Sequence, residues 1–228
     1  RFSGKWSSAT GLVLGSMTPD FEYFLRMKIQ GHYSHTLPGI FFFDLPVGLF
    51  LAFVFHNAVR DSLFDNLPAF LSRRLTVFKS FNWNQYFAER WPVVIVSIII
   101  GAASHLFWDG FTHRDGYFVI LFPSLKHVVN IFGVGFPVCR ILQHLSTLAG
   151  GAAIAWVLSA LPSDPHPKTQ VNSRYWLIVA ALTLLIATVR ILSGLHPLQL
   201  GNITVTGIAA FFISISLTPA LTRRFEKA

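Results

Sequence analysis

A single cysteine, Cys139, in 228 residues excludes an internal disulfide and any Cys-x-x-Cys metal site, leaving histidine and carboxylate as the ligand chemistry. Charge is scarce too: Asp, Glu, Lys and Arg make up 12% of the chain, about half the share usual in soluble domains. The formal charge of +8 is not gathered into a stripe but sits in short flanks between apolar runs. That pattern argues against a nucleic-acid partner and for membrane topology and anionic headgroups. There is no internal repeat, no low-complexity tract and no charged-apolar-small leader pattern. The chain opens on Arg1 rather than Met, so a preceding piece is expected. What is abundant is hydrophobic: 53% apolar residues, 23 Phe and a mean hydropathy of +0.54. These values place the chain among integral membrane proteins.

The expected fold is all-α, a polytopic bundle of about five transmembrane helices with short re-entrant or interfacial helices. Five runs approach the roughly 20 residues that a bilayer needs: Ile40–Ala58, Trp91–Trp108, Pro137–Leu161, Arg174–Leu195 and Ile203–Leu221. The first is interrupted by Asp44 and Pro46, the second has tryptophan at both ends, and the third holds Gly150-Gly151, a pair that permits close packing. Ser8–Met17 is too short to span and reads as re-entrant, or as the end of a longer segment. Leu63–Arg90 reads as an interfacial amphipathic helix, Tyr117–Phe136 as an apolar cover over a pocket mouth, and Pro162–Ser173 as a loop. Residues 1–161 are expected to form a metal-site membrane domain, and 162–228 to add two further spans to it. On one side of the membrane lie six cations: Arg1, Lys5, Arg26, Lys28, Arg114 and Lys126. The other side holds ten: Arg60, Arg73, Arg74, Lys79, Arg90, Lys168, Arg174, Arg223, Arg224 and Lys227. The richer side, which includes the C-terminus, is expected to be cytoplasmic.

Two polar groups fall on the opposite face. In Ser104–Gly116, His105, Asp109 and His113 are spaced four apart, which stacks them on one helical face. An imidazole or carboxylate at bilayer depth costs roughly 2.5 kcal/mol or more unless paired, so these residues need a partner: a metal, a proton or another helix. The second group is Pro19-Asp20-Phe21-Glu22, followed by His32-Tyr33-Ser34-His35-Thr36. Asp20 after a proline also reads as the cap of a starting helix, and His32/His35 as an ordinary interfacial helix turn. Taken together, the carboxylates and imidazoles at the edges of apolar segments suit a zinc-type site with one open position.

Pro19-Asp20-x-Glu22, Ser34-His35-Thr36 and Ser104-His105-x-x-x-Asp109 with Thr112 and Gly116 resemble the bacterial inner-membrane metal-dependent hydrolases, including the LexA-regulated group. Arg1-Phe2-Ser3-Gly4-x-Trp6-Ser7-Ser8, Gly15-Ser16-Met17-x-Pro19-Asp20-Phe21-Glu22-Tyr23-Phe24 and His35-Thr36-Leu37-Pro38-Gly39 resemble a bacterial membrane domain-of-unknown-function family. That resemblance runs from Arg1 to about Gly150. The ligand order is also similar, more remotely, to zinc-dependent phospholipase C and the single-strand-specific zinc nucleases. The resemblance implies one divalent metal, zinc or alternatively manganese, held by Asp20, His35, His105 and Asp109. The chain lacks the further N-terminal His of those families, and His144 is followed four residues on by Leu148 rather than an acid.

The implied chemistry is hydrolysis of a phosphoester or other ester of a lipid or lipid-linked substrate in the bacterial inner membrane. A bound ion lowers the pKa of its water to about 7. Glu22 and His113 are the candidate catalytic residues, as general base or extra ligands. Arg114, Lys126 and Arg140 are candidates for holding a phosphate, or alternatively plain headgroup contacts. The rival reading is a non-enzymatic scaffold or subunit of a larger membrane complex, in which the His/Asp cluster is structural and Arg190 pairs with Asp44. A transporter or proton relay is a third class, disfavoured by the few polar residues in the last two spans.

Overall fold

The computed structural model describes residues 6–164, 171–194 and 199–225. Arg1, Lys5, Lys168 and Lys227 of the topology count lie outside them, as does the Arg1-Phe2-Ser3-Gly4 part of the N-terminal motif. The regular structure of the described chain is helical apart from one two-stranded hairpin. Five of its helical segments are long and apolar enough to cross a membrane, as expected: Leu37–Asn66, Trp83–Leu121, Val138–Ala160, Ser173–Leu192 and Leu200–Thr222.

The chain forms two compact units, Arg1–Ala102 with Ser163–Ala228, and Ala103–Pro162. In the first, α1 (Ala9–Arg26) is capped by the Ser8 side chain, which accepts from the Gly11 N–H. It is an 18-residue helix, longer than the re-entrant piece expected at Ser8–Met17. The first span is one rod built from α2 (Leu37–Gly39), α3 (Leu45–Val54) and α4 (Arg60–Asn66), joined by π turns at Ile40–Asp44 and Phe55–Val59. Pro46 cannot donate to the turn before it, and the helix widens there instead of breaking.

Leu63–Arg90 is not one amphipathic helix. It divides into the end of α4, α5 (Ala69–Leu75), a 3-10 turn at Thr76–Ser80 and the start of α6 (Trp83–Thr112). The division is held by Arg60, which donates to the carbonyls of Phe81 (2.7 Å) and Lys79 (3.1 Å) and so pins the bend onto the end of the first span. Arg90 leaves helical φ/ψ at −132°, 20°, because Pro92 withholds its N–H and crowds the preceding turn. The core gathers where the first span meets α6: Ala52, Trp83, Val94 and Ile98 are buried, with Leu45, Leu49 and Phe53 against them.

α1 meets α6 at backbone distance. A Cβ on Gly11 would come within 2.8 Å of Ser97 Cβ, one on Gly15 would strike the Ile98 carbonyl, and one on Gly101 would strike the Leu12 carbonyl. α9 (Ser173–Leu192) and α10 (Leu200–Phe225) belong to the same unit. α10 secures the end of α1: Asn202 Oδ1 accepts from Ile29 N at 2.8 Å, Thr206 donates to the Met27 carbonyl, and Phe212 stacks on Phe21. Arg190 directs its terminal nitrogens to Ser193 and the Arg26 carbonyl rather than to Asp44.

The second unit contains the end of α6, α7 (Tyr117–Leu121), the hairpin β1 (Val128–Ile131) and β2 (Val134–Pro137), and α8 (Val138–Ala160). Tyr117–Phe136 is thus a helix, a 3-10 turn and a hairpin in succession. A Cβ at Gly150 or Gly151 would meet nothing within 4 Å, so this pair does not mediate close packing within the described chain.

The glycines therefore separate by position. Gly15→Ala is expected to destabilise the protein by about 1–3 kcal/mol through overpacking, whereas Gly150→Ala is neutral or stabilising by up to about 1 kcal/mol. Thermal unfolding of the two variants in one detergent checks the contrast.

Candidate metal centre

α1 carries the first two candidates. Pro19, inside the helix, cannot donate to the Gly15 carbonyl four residues back, and the Thr18 hydroxyl donates to that oxygen instead, at 2.9 Å. The helix continues past the proline. Asp20 is consequently an interior helical residue and not the cap of a new helix.

Glu22 is 2% exposed and serves the loop that follows. Its Oε1 accepts from the His32 N–H at 2.9 Å and Arg26 Nε at 3.0 Å, and its Oε2 from the N–H groups of Tyr33 and Ser34, each at 2.9 Å. Burial works to raise the pKa of this carboxyl, but the three backbone donors and Arg26 outweigh it and hold the group at about 2, against 4.5 ordinarily. A carboxylate so occupied is a weak proton acceptor. Its evident use is to fix residues 32–34 and hence the direction of His35.

His35 follows the clamped loop. Its Nδ1 lies 3.1 Å from the Ser34 hydroxyl, its ring stacks on Tyr23 at 5.1 Å, and its Nε2 stands 3.6 Å from Asp20 Oδ1. Nδ1–H donating to Ser34 is the tautomer in which Nε2 carries the lone pair that a metal would take. Thr36 then caps α2 by accepting from the Gly39 N–H. His32 stays apart, exposed, with its Nε2 3.0 Å from Gln30 Nε2. Residues 31–36 are a loop and not a helix turn.

On α6, His105 stands one turn beyond Gly101, so the packing that seats that glycine on α1 also sets where the imidazole emerges. Its Nε2 lies 3.1 Å from Asp109 Oδ2. The other Asp109 oxygen is 3.5 Å from Nδ1 of His113, which is half-exposed just past the helix end. The fold-back at His113–Gly116 needs Gly116, since a Cβ there would come within 2.6 Å of the Gly110 carbonyl. Asp20, His35 and His105 each offer one ligand atom, and the three atoms all lie within 4.8 Å of one another.

The family described as a domain of unknown function, DUF4184, matches residues 1–220. The chain belongs to that family. No curated protein and no solved structure matches it. Since the DUF4184 match reaches residue 220, it takes in the last two spans, where the sequence motifs carried no resemblance.

The donor set fits a divalent ion on its own terms. Bonds of about 2.0–2.2 Å in a tetrahedral shell put neighbouring donors about 3.3 Å apart. The His35–Asp20 separation, 3.6 Å, is close to that value, and the ligand atoms of Asp20, His35 and His105 spread no further than 4.8 Å. Asp109 is not one of the three mutually close residues and meets the group through His105. Arg114, Lys126 and Arg140 are all exposed: on the loop after α6, at the end of the 3-10 turn at Pro123–Lys126, and in the first turn of α8. The roles of Ser34, Tyr23 and Arg26 escape a reading by ligand type. The hydroxyl next to His35 is the one available signal.

The depressed pKa of Glu22 carries a pH signature. Its contribution to stability is complete above about pH 4.5 and is lost as the pH falls toward 2, because protonation removes the negative charge that strengthens the bonds from all four donors. Acid titration of stability in detergent should show this loss in the wild type and not in Glu22→Gln. That variant should be less stable by about 2 kcal/mol at neutral pH.

Proposed function

We propose that this protein is a membrane-embedded, metal-dependent hydrolase acting on a phosphoester or other ester of a lipid or lipid-linked substrate. The observation that carries the reading is the convergence of Asp20, His35 and His105 within 4.8 Å, at an edge of the apolar segments. Asp109 is the fourth ligand, presented by the same helix face as His105. In this reading the centre faces the outer side of the bacterial inner membrane and the C-terminus the cytoplasm, which the excess of Lys and Arg on the opposite side supports.

Each residue has a task in this reading. Asp20, His35, His105 and Asp109 hold one zinc or manganese ion. When bound, the ion supplies a water acidic enough to ionise near neutral pH and polarises the phosphoryl or carbonyl oxygen. Ser34 keeps the His35 tautomer, and Glu22 keeps the loop that presents it. His113 leans on the far oxygen of Asp109 and is open to solvent, which suits it to carry a proton to the leaving group. Arg114, Lys126 and Arg140 are exposed cations that can meet the phosphate of a lipid, whether substrate or headgroup.

Elemental analysis of the purified protein should find close to one zinc or manganese per chain. His105→Ala and Asp109→Ala should lose it, and with it the release of phosphate or headgroup from bacterial lipids. A metal-free wild type whose variants keep full stability sinks the reading. Metal without turnover removes the hydrolase and leaves a structural site. Ser34→Ala is expected to weaken metal affinity about 10–100-fold. His113→Ala is expected to keep the metal while lowering turnover about 10²-fold or more.

A further inference from the structure

The hairpin β1–β2 closes on two residues, Phe132 and Gly133, and both have positive φ, 51° and 83°. That is the type I′ turn, whose first central position ordinarily takes Asn, Asp or Gly because a larger side chain is strained there. Here it is phenylalanine, and the ring is fully exposed, at 102%. The chain accepts strain at a place where its own packing returns nothing. Such an outlier points to a contact outside the chain.

One face of the hairpin is apolar throughout its length. Cross-strand partners share a face, so Val129 with Phe136 and Ile131 with Val134 line one side toward the tip, while Asn130 with Gly135 and, at the open end, Val128 with Pro137 lie on the other. Val129, Ile131 and Val134 are 39%, 39% and 55% exposed. A two-stranded hairpin with neither face covered is marginal in water.

Two features identify what covers it. The first is continuity: β2 ends at Pro137 and α8, long and apolar enough to cross a membrane, begins at Val138, while the segment Trp83–Leu121 ends a few residues before the hairpin. Four strand residues reach only about 13 Å, so the tip stays close to a bilayer boundary. The second is charge: no Asp or Glu occurs from residue 116 to 163, whereas Lys126 and Arg140 flank the strands. That balance complements anionic headgroups.

We propose that the hairpin is an interfacial anchor. Phe132 and the Val129, Ile131, Val134, Phe136 face insert at the headgroup–acyl boundary of an anionic bilayer, and Lys126 and Arg140 meet the lipid phosphates. The insertion belongs to the second unit alone and does not depend on a metal or on hydrolysis.

The test places a spin label at Val134→Cys in the full chain with Cys139→Ala, in vesicles of phosphatidylethanolamine and phosphatidylglycerol. Collision with oxygen should exceed collision with a water-soluble nickel chelate several-fold at position 134, and not at Asn130→Cys on the opposite face. Phe132→Asn, which favours the turn and so keeps the hairpin, should shift position 134 toward water. Replacing phosphatidylglycerol by phosphatidylcholine should do the same in part. A label that collides freely with the nickel chelate in anionic vesicles overturns the proposal. So does one shielded from both reagents, which would mark a protein contact.

Discussion

The contact on which the rest depends is the approach of α1 to α6 at backbone distance. Within a bilayer, apolar helices gain little by hiding from lipid, so a specific crossing rests on close van der Waals contact. Gly11 and Gly15 on one helix and Gly101 on the other remove the side chains that would hold the backbones apart. Gly11 faces Ser97, and Gly15 faces Ile98 and Gly101, so the two helices run the same way through the crossing. Asp20 and His105 both lie beyond it, about one turn past the last glycine. The spacing that admits the crossing also delivers a carboxylate and an imidazole to one end of it.

Closeness of two helices does not orient a loop residue, and His35 requires the second device. Glu22 is an anion nearly excluded from solvent, which would be costly alone, but three successive backbone N–H groups and Arg26 surround it. The stabilisation is mutual: the loop satisfies the carboxylate, and the carboxylate removes the loop's freedom. His35 then has its Nδ1 at Ser34 and its ring on Tyr23, and both contacts restrict how the imidazole can turn. An acid in the middle of a ligand-like motif thus has a positioning task, and its neighbour Asp20 takes the outward-facing one.

Much of this was legible in the chain. Length and hydropathy located all five spans to within a few residues at most ends, because crossing a bilayer demands a long apolar run whatever its neighbours are. The i, i+4 spacing of His105, Asp109 and His113 was legible for the same kind of reason, since helical geometry is local. What failed were readings that depended on distant groups. Pro46 was expected to interrupt the first span, yet the helix passes it through a π turn inside a longer rod. Leu63–Arg90 looked like one helix because nothing in its own pattern announces that Arg60 will hold its bend. Gly150-Gly151 was expected to permit close packing, but unlike Gly11 and Gly15 the pair meets no opposing backbone among the described residues.

By itself, then, the sequence determined the membrane class, the helical spans and the kinds of atom available as ligands, all of which follow from short-range periodicity and composition. Tertiary structure decided which of those atoms meet. It assembled Asp20, His35 and His105, left His32 outside, and turned Glu22 inward to the loop. The physical reason is that a ligand set is defined by distances of a few ångströms between residues up to 85 positions apart, from Asp20 to His105. Such distances are fixed by how backbones pack and how a buried charge is satisfied, and neither is written in any local stretch of the chain.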